Sequence, residues 1–224
     1  MYKIILCVLG YIVLTQFSFG QSYEESLRQI QAKFHTIDNV SCTFVSFARL
    51  DDRSEEIIYK YYFRKPASVR MEIQNGKYEG TILLYTGGDV RLKLGHGILS
   101  WFSFSFDRSN KIVCDLRGNG IHQSDWGWFI EQHLQMISLT VSSLKGMDII
   151  NGRQTLHYEL LSEHPEQTKS ISKEDIWIDN REYILIQYKQ YNQNGIVIQS
   201  GVYKDIILNT NMSDTLFSEF FIKH

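Results

Sequence analysis

The spacing of apolar residues changes abruptly near residue 39. Before it, Tyr23, Leu27, Ile30, Phe34 and Ile37 recur every three or four positions, while Glu24, Arg28, Gln31 and Lys33 fall between them. Ser22 with Glu25 forms a capping-box pair, so the segment predicts one amphipathic helix of roughly four turns. After Asn39 the period is two. Val40, Cys42 and Phe44 open a strand; Ile57, Tyr59, Tyr61 and Phe63 continue the pattern, as do Val69, Met71 and Ile73. Thr81–Tyr85 and Val90, Leu92 and Leu94 predict two more strands, with Asn75-Gly76 and Gly87-Gly88 as turns. Asp125–Ile137 returns to helical spacing, with Ser124 or Asp125 suited to cap it. Strands then follow at Met147–Ile150, Thr155–Leu161, Asp175–Ile178, Tyr183–Tyr191 and Ile196–Leu208. Asn151-Gly152 and Asn194-Gly195 read as hairpin turns with positive φ at both central residues. With neither linker nor fixed repeat, the expected fold class is α+β: an open, curved antiparallel sheet closed by helices.

Several of these strands are apolar in both phases: Ile57-Ile58, Tyr61-Tyr62-Phe63, Ile82-Leu83-Leu84-Tyr85 and Tyr183-Ile184-Leu185-Ile186. An antiparallel sheet with one wet face alternates cleanly, so these strands need cover on both sides. Either the helices and sheet curvature supply it, or an apolar ligand does. In the second case the candidate cavity walls are Phe63, Met71, Leu84, Trp101, Phe104 and Phe106 from the sheet. Phe34, Trp126 and Phe129 would join them from the helices, with Arg70 as a polar contact at the mouth.

The N-terminus changes the compartment. Met1-Tyr2-Lys3, an uncharged apolar run Ile4–Leu14, and small residues at Ser18 and Gly20 read as a secretory signal peptide cut after Gly20. The run is short for a membrane span, which needs roughly 20 apolar residues. Of the 23 basic residues one lies in this leader and no acid does, so 22 basic residues face 25 acidic ones. Without a basic block, nucleic acid is not an expected partner. An oxidising compartment permits a bridge between Cys42 and Cys114, but two separate thiols are the simpler expectation.

Catalytic signatures are missing. The chain has no G-x-S-x-G, H-E-x-x-H, C-x-x-C or glycine-rich phosphate loop, and its seven histidines are scattered over different elements. His122 reads as a turn residue, Asp125 as a helix cap and His133 as helix surface, so no enzyme, metal or cofactor is expected.

Tyr62-Phe63-Arg64-Lys65-Pro66-Ala67-Ser68-Val69-Arg70-Met71 resembles the strand–basic–Pro–strand signature of the LolA/LolB lipoprotein-carrier superfamily. Asn211-Met212-Ser213-Asp214-Thr215-Leu216-Phe217 is similar to that superfamily's closing segment. Tyr78-Glu79-Gly80, Gly95-x-Gly97, Phe104–Asp107 and Arg117–Ile121 look closer to an uncharacterised envelope branch. The resemblance implies an incomplete barrel around an apolar cavity: residues 1–20 a signal peptide, residues 21–224 a LolA-like lipid-binding domain. It implies a monomeric periplasmic carrier for an acyl chain, lipid or lipidated protein, working with a membrane-bound delivery partner. The alternative is an envelope-stress or assembly factor that binds peptides or protein partners with the same fold. Gly87–Phe106 is longer than the corresponding turn of the carriers.

These expectations predict a mature chain that begins at Gln21 and carries no acyl modification. N-terminal mass mapping of the exported protein checks both; an intact 1–20 segment in the membrane fraction contradicts them.

Overall fold

Ser22 starts the first element as its sequence predicts. In the computed structural model, which describes residues 21–218, its Oγ accepts a hydrogen bond from the Glu25 N–H at 3.1 Å. Helix α1 runs Tyr23–His35 and stops at Thr36, whose hydroxyl and N–H both donate to the Lys33 carbonyl. The expected signal peptide lies outside the described residues.

Six strands follow: β1 Asn39–Leu50, β2 Arg53–Arg64, β3 Ser68–Ile73, β4 Ile82–Tyr85, β5 Val90–Lys93 and β6 Ser103–Phe106. Helix α2, Trp126–Met136, separates them from β7 Thr140–Ile150, β8 Arg153–Ser162, β9 Lys173–Asp179, β10 Leu185–Tyr191 and β11 Val197–Leu208. All eleven form one antiparallel sheet in the order β6-β5-β4-β3-β2-β1-β11-β10-β9-β8-β7. The first and last strands pair at its centre, leaving β6 and β7 as free edges, so the sheet stays open. A one-turn helix α3, Thr215–Ser218, ends the described chain.

Three local expectations are corrected. β7 begins at Thr140 rather than Met147, because a bulge between Leu144 and Gly146 shifts the phase and hides the alternation. Tyr183 lies in a turn at φ 50°, so β10 starts at Leu185. Asn151 and Gly152 both have positive φ as expected, but in the other hairpin only Gly195 does. There Asn192 Oδ1 accepts from the N–H groups of Asn194 and Ile196, building a longer turn.

The core lies between the sheet and the two long helices. Leu27 and Ile30 of α1 and Trp126, Phe129 and Ile130 of α2 pack on inward residues of nearly every strand. Opposite them, the chain after β11 crosses the outer face and buries Phe217 beneath the Arg64 guanidinium, 4.6 Å above its ring. Asn39 fixes the start of that crossing, exchanging two hydrogen bonds of 2.9 Å with the Thr210 backbone. Cys42 is buried and Cys114 half-buried, both as free thiols.

Leu27→Ala, at a fully buried position, is expected to cost about 2–5 kcal/mol in urea unfolding. Ile149→Ala, exposed on edge strand β7, is expected to stay within about 0.5 kcal/mol.

Candidate functional site

Strand register decides which of the candidate residues can meet. One inner-face row runs across the sheet as Val40, Phe63, Val69, Tyr85, Val90 and Phe106. The next runs Cys42, Tyr61, Met71, Leu83, Leu92 and Phe104. Directly paired residues share a face, so Phe63, Met71, Phe104 and Phe106 all point to the helix side as expected.

Arg70 and Leu84 do not. They pair with each other, and Arg70 also with Tyr62, in a row on the outer face. Arg70 is no cavity mouth: it is 4 % exposed, donates Nε to Glu72 at 2.7 Å and reaches the Leu216 carbonyl at 3.3 Å. Its partners are Glu72 on its own strand and the C-terminal crossing. Leu84 was misplaced because Ile82-Leu83-Leu84-Tyr85 is apolar in both phases, and Leu83 proves to be inward. Trp101 is also outside, 73 % exposed on a helical turn before β6. Phe104 and Phe106 are inward but only half-buried, since β6 is the sheet's edge.

Phe34, Phe63 and Trp126 do converge. With Val40 and Tyr61 they line a void of about 10 Å³ where the end of α1 meets the start of α2. That is room for roughly one water molecule; a ligand pocket is typically about 300–1,000 Å³. The expected cavity is thus shut by its own aromatic walls. The Phe34 and Phe63 rings lie 5.7 Å apart, and Trp126 meets Tyr203 edge-on at 5.7 Å. Phe129 sits one turn further along α2, 6.2 Å from the Tyr188 ring. Tyr61, which shares the inward phase of Phe63, could have been read from the sequence. Tyr203 could not, because a bulge between β1 and β11 shifts its phase.

The two ends of α2 are held differently. At its C-terminal end His133 is buried, not on the helix surface as expected. Its Nδ1 contacts the Phe129 carbonyl at 2.8 Å and its Nε2 contacts Glu174 of β9 at 3.1 Å. Gln190 donates to the other Glu174 oxygen at 3.0 Å. At the N-terminal end Asp125 caps the helix, accepting from the Trp128 N–H at 3.1 Å. There, however, the bonds to the sheet are long: Tyr203 and Tyr61 hydroxyls donate to the Ser124 carbonyl at 3.3 and 3.5 Å. Trp126 Nε1 is buried there with no partner, and Tyr23 Oη is likewise unpartnered near the other end, beside His133; each costs about 1–3 kcal/mol. Burial pushes the Asp125 carboxyl above its ordinary value, against the lowering effect of the cap bonds. Gly127 touches α1: a Cβ there would lie 2.8 Å from the Phe34 ring.

Outside this region, His157 stacks on Trp177 at 4.5 Å and contacts Asp148 at 3.3 Å and Asp175 at 3.2 Å. A mixed polar cleft of about 530 Å³ lies among Arg49, Asp51, Arg117, Asn192 and Ile198. Among the described residues no cluster of His, Cys, Asp and Glu is placed to hold a metal, and no helix is long and apolar enough to cross a membrane.

No family model and no curated protein matches the chain. Solved structures do. An uncharacterised conserved protein of Thermus thermophilus aligns with TM-score 0.55 and 12 % identity over 89 % of this chain and 94 % of that one. MucB of Pseudomonas aeruginosa, in its complex with MucA, aligns with TM-score 0.53 and 10 % identity. That match takes in 88 % of this chain but 61 % of the MucB chain. A LolA superfamily protein of Nitrosomonas europaea aligns over 88 % and 98 % of the two chains with 11 % identity and TM-score 0.42. The fold is therefore shared with the Thermus thermophilus protein and with MucB, an open antiparallel sheet under helices, at low sequence identity.

Asp125 gives a pH signature. Its raised folded-state pKa means the neutral acid is favoured in the folded protein, so its contribution is lost as pH rises through the ordinary carboxylate range. Asp125→Asn keeps a capping oxygen and removes that loss. The melting temperature of the variant minus that of wild type is therefore expected to increase with pH between pH 3 and 7 (about the range of carboxylate titration), checked by thermal melts in parallel buffers.

Proposed function

We propose that this chain is an exported, non-catalytic binding protein of the cell envelope that holds an acyl chain, free or on a lipidated protein, beneath helix α2. The observation that supports it most is the asymmetric attachment of α2. The helix is bolted to β9 through His133 and Glu174, while its Trp126 end rests on aromatic rings with an orphan N–H and long hydrogen bonds. Lifting that end opens the space under it without breaking the buried pair.

Magnitudes favour an acyl chain as the wedge. Baring Trp126 and Phe129 costs roughly 1.5–3 kcal/mol each, whereas each buried methylene contributes about 0.8 kcal/mol. A chain of about ten methylenes outweighs the two aromatics before ordering costs. A short polar ligand does not. Trp126 Nε1 would then find an acceptor on the ligand's ester, amide or carboxyl group.

A second reading takes its support from the likeness to MucB, whose solved complex contains MucA. Under it the same surface binds a polypeptide. Native mass spectrometry of protein from its own envelope separates the two: co-purified acyl species support the carrier, a bound polypeptide the partner-binding factor.

Titrating a fluorescent fatty acid into delipidated protein is expected to show saturable binding. Phe34→Asp, at the half-buried rim of the void, should weaken it more than about tenfold, because a buried unpaired carboxylate is strongly disfavoured. Circular dichroism confirms the fold is retained. Wild-type protein that binds no probe of any chain length would refute the acyl-carrier reading.

A further inference from the structure

Residues expected to line the cavity instead form an apolar knob outside it. Between β5 and β6 the chain makes a short helical turn, Ile98–Trp101, that exposes Ile98 by 86 %, Leu99 by 52 %, Trp101 by 73 % and Phe102 by 58 %. From Leu94 to Phe106 the only titratable side chain is His96. The base of the excursion is fixed by backbone contact: a Cβ on Gly95 would sit 2.1 Å from the Glu79 carbonyl oxygen. The turn it touches carries Tyr78, 54 % exposed, and Lys77, whose Nζ lies 5.5 Å over the Tyr78 ring. Lys93 closes the other side.

We propose that this knob docks on a phospholipid bilayer, burying Ile98, Leu99, Trp101 and Phe102 at the headgroup–acyl boundary. Tyr78, Lys77 and Lys93 then lie at headgroup level. Aromatic rings with flanking cations are what that interface selects. Hydrogen bonding favours lipid over a protein partner. A protein interface carries about one hydrogen bond per 100–200 Å², and the knob's side chains, apolar but for His96 and Ser100, offer a protein partner few. Ser100 Oγ donates to the Gly97 carbonyl at 2.7 Å, and the N–H groups of Ser100 and Phe102 donate to Gly97 and Leu99 at 3.1 Å. Apolar side chains with the one hydroxyl bonded within the turn suit the headgroup–acyl boundary, where the remaining backbone groups stay within reach of water and headgroups. The inference holds whatever the space beneath α2 carries, so it stands or falls apart from the acyl-carrier reading.

The test is flotation of the purified protein with vesicles of phosphatidylethanolamine and phosphatidylglycerol. Wild type is expected to float. The double variant Ile98→Ser/Trp101→Ser should partition at least about tenfold less. A control, Met147→Ser/Ile149→Ser, alters two comparably exposed apolar residues on β7 and should float as wild type does. Trp101→Phe provides an independent readout: it should still float while losing most quenching of tryptophan fluorescence by brominated lipid. Wild type that fails to float, or an Ile98/Trp101 variant that floats equally well, overturns the proposal. So does self-association abolished by the double variant in a protein that binds no vesicles, since the knob would then be a protein interface.

Discussion

An antiparallel sheet of eleven strands that does not close on itself must hide its apolar inner face, and among the described residues α1, α2 and the segment between β6 and α2 do so. Everything else in the molecule follows from how that cover is made. α1 supplies a regular stripe of Tyr23, Leu27 and Ile30, secured where Ser26 meets the Tyr158 hydroxyl at 2.6 Å. α2 is shorter and supplies bulk instead, with Trp126 and Phe129 reaching down between strands. Bulky rings fill a curved surface only in particular orientations, which is why the remaining void is small yet bordered by one polar group without a partner, Trp126 Nε1.

The same constraint explains the glycine where the helices meet. At Gly127 the α2 backbone lies against the Phe34 ring, an approach any side chain would block. Close contact there lets Trp126 seal the space above Phe63. It also concentrates the cover's weakness at one end, because the opposite end of α2 is tied by a buried histidine–carboxylate pair. Removing one partner of a buried hydrogen-bonded pair leaves the other unsatisfied, at about 1–3 kcal/mol, so the opening proposed above would begin at the Trp126 end.

Much of the fold was legible in the residues. The Ser22 cap, the α1 stripe, the Asp125 cap and the alternation in β2, β3 and β5 depend on local chemistry, and local chemistry is what a sequence displays. Failures came where a nonlocal fact decided. Leu83 and Leu84 are indistinguishable by hydropathy, both are buried, and only the strand register puts them on opposite faces. Arg70 looked like a mouth residue because nothing nearby in sequence announces Leu216 as its partner. His133 looked like surface because Glu174 lies 41 residues away. The β7 and β11 bulges each shifted a phase without leaving a composition signal.

Trp101 is the most instructive of these cases. By bulk and phase it belonged with the cavity aromatics, and the physical rule behind that placement, that large apolar side chains leave water, is sound. What the rule does not specify is where they go. In Gly95–Phe106 the Ser100 and Phe102 N–H groups bond within the turn and Gly95 is braced against Gly80, so the exposed cluster is held in place rather than left to collapse into the core. The void beneath Trp126, about 10 Å³, has no room for it. A chain that keeps four large apolar side chains in water, on a turn fixed by its own hydrogen bonds, bears a standing cost in the isolated state. A surface that takes them up would remove it. The closed inner face and the exposed knob are thus two outcomes of one excess of apolar residues over the area two helices can cover.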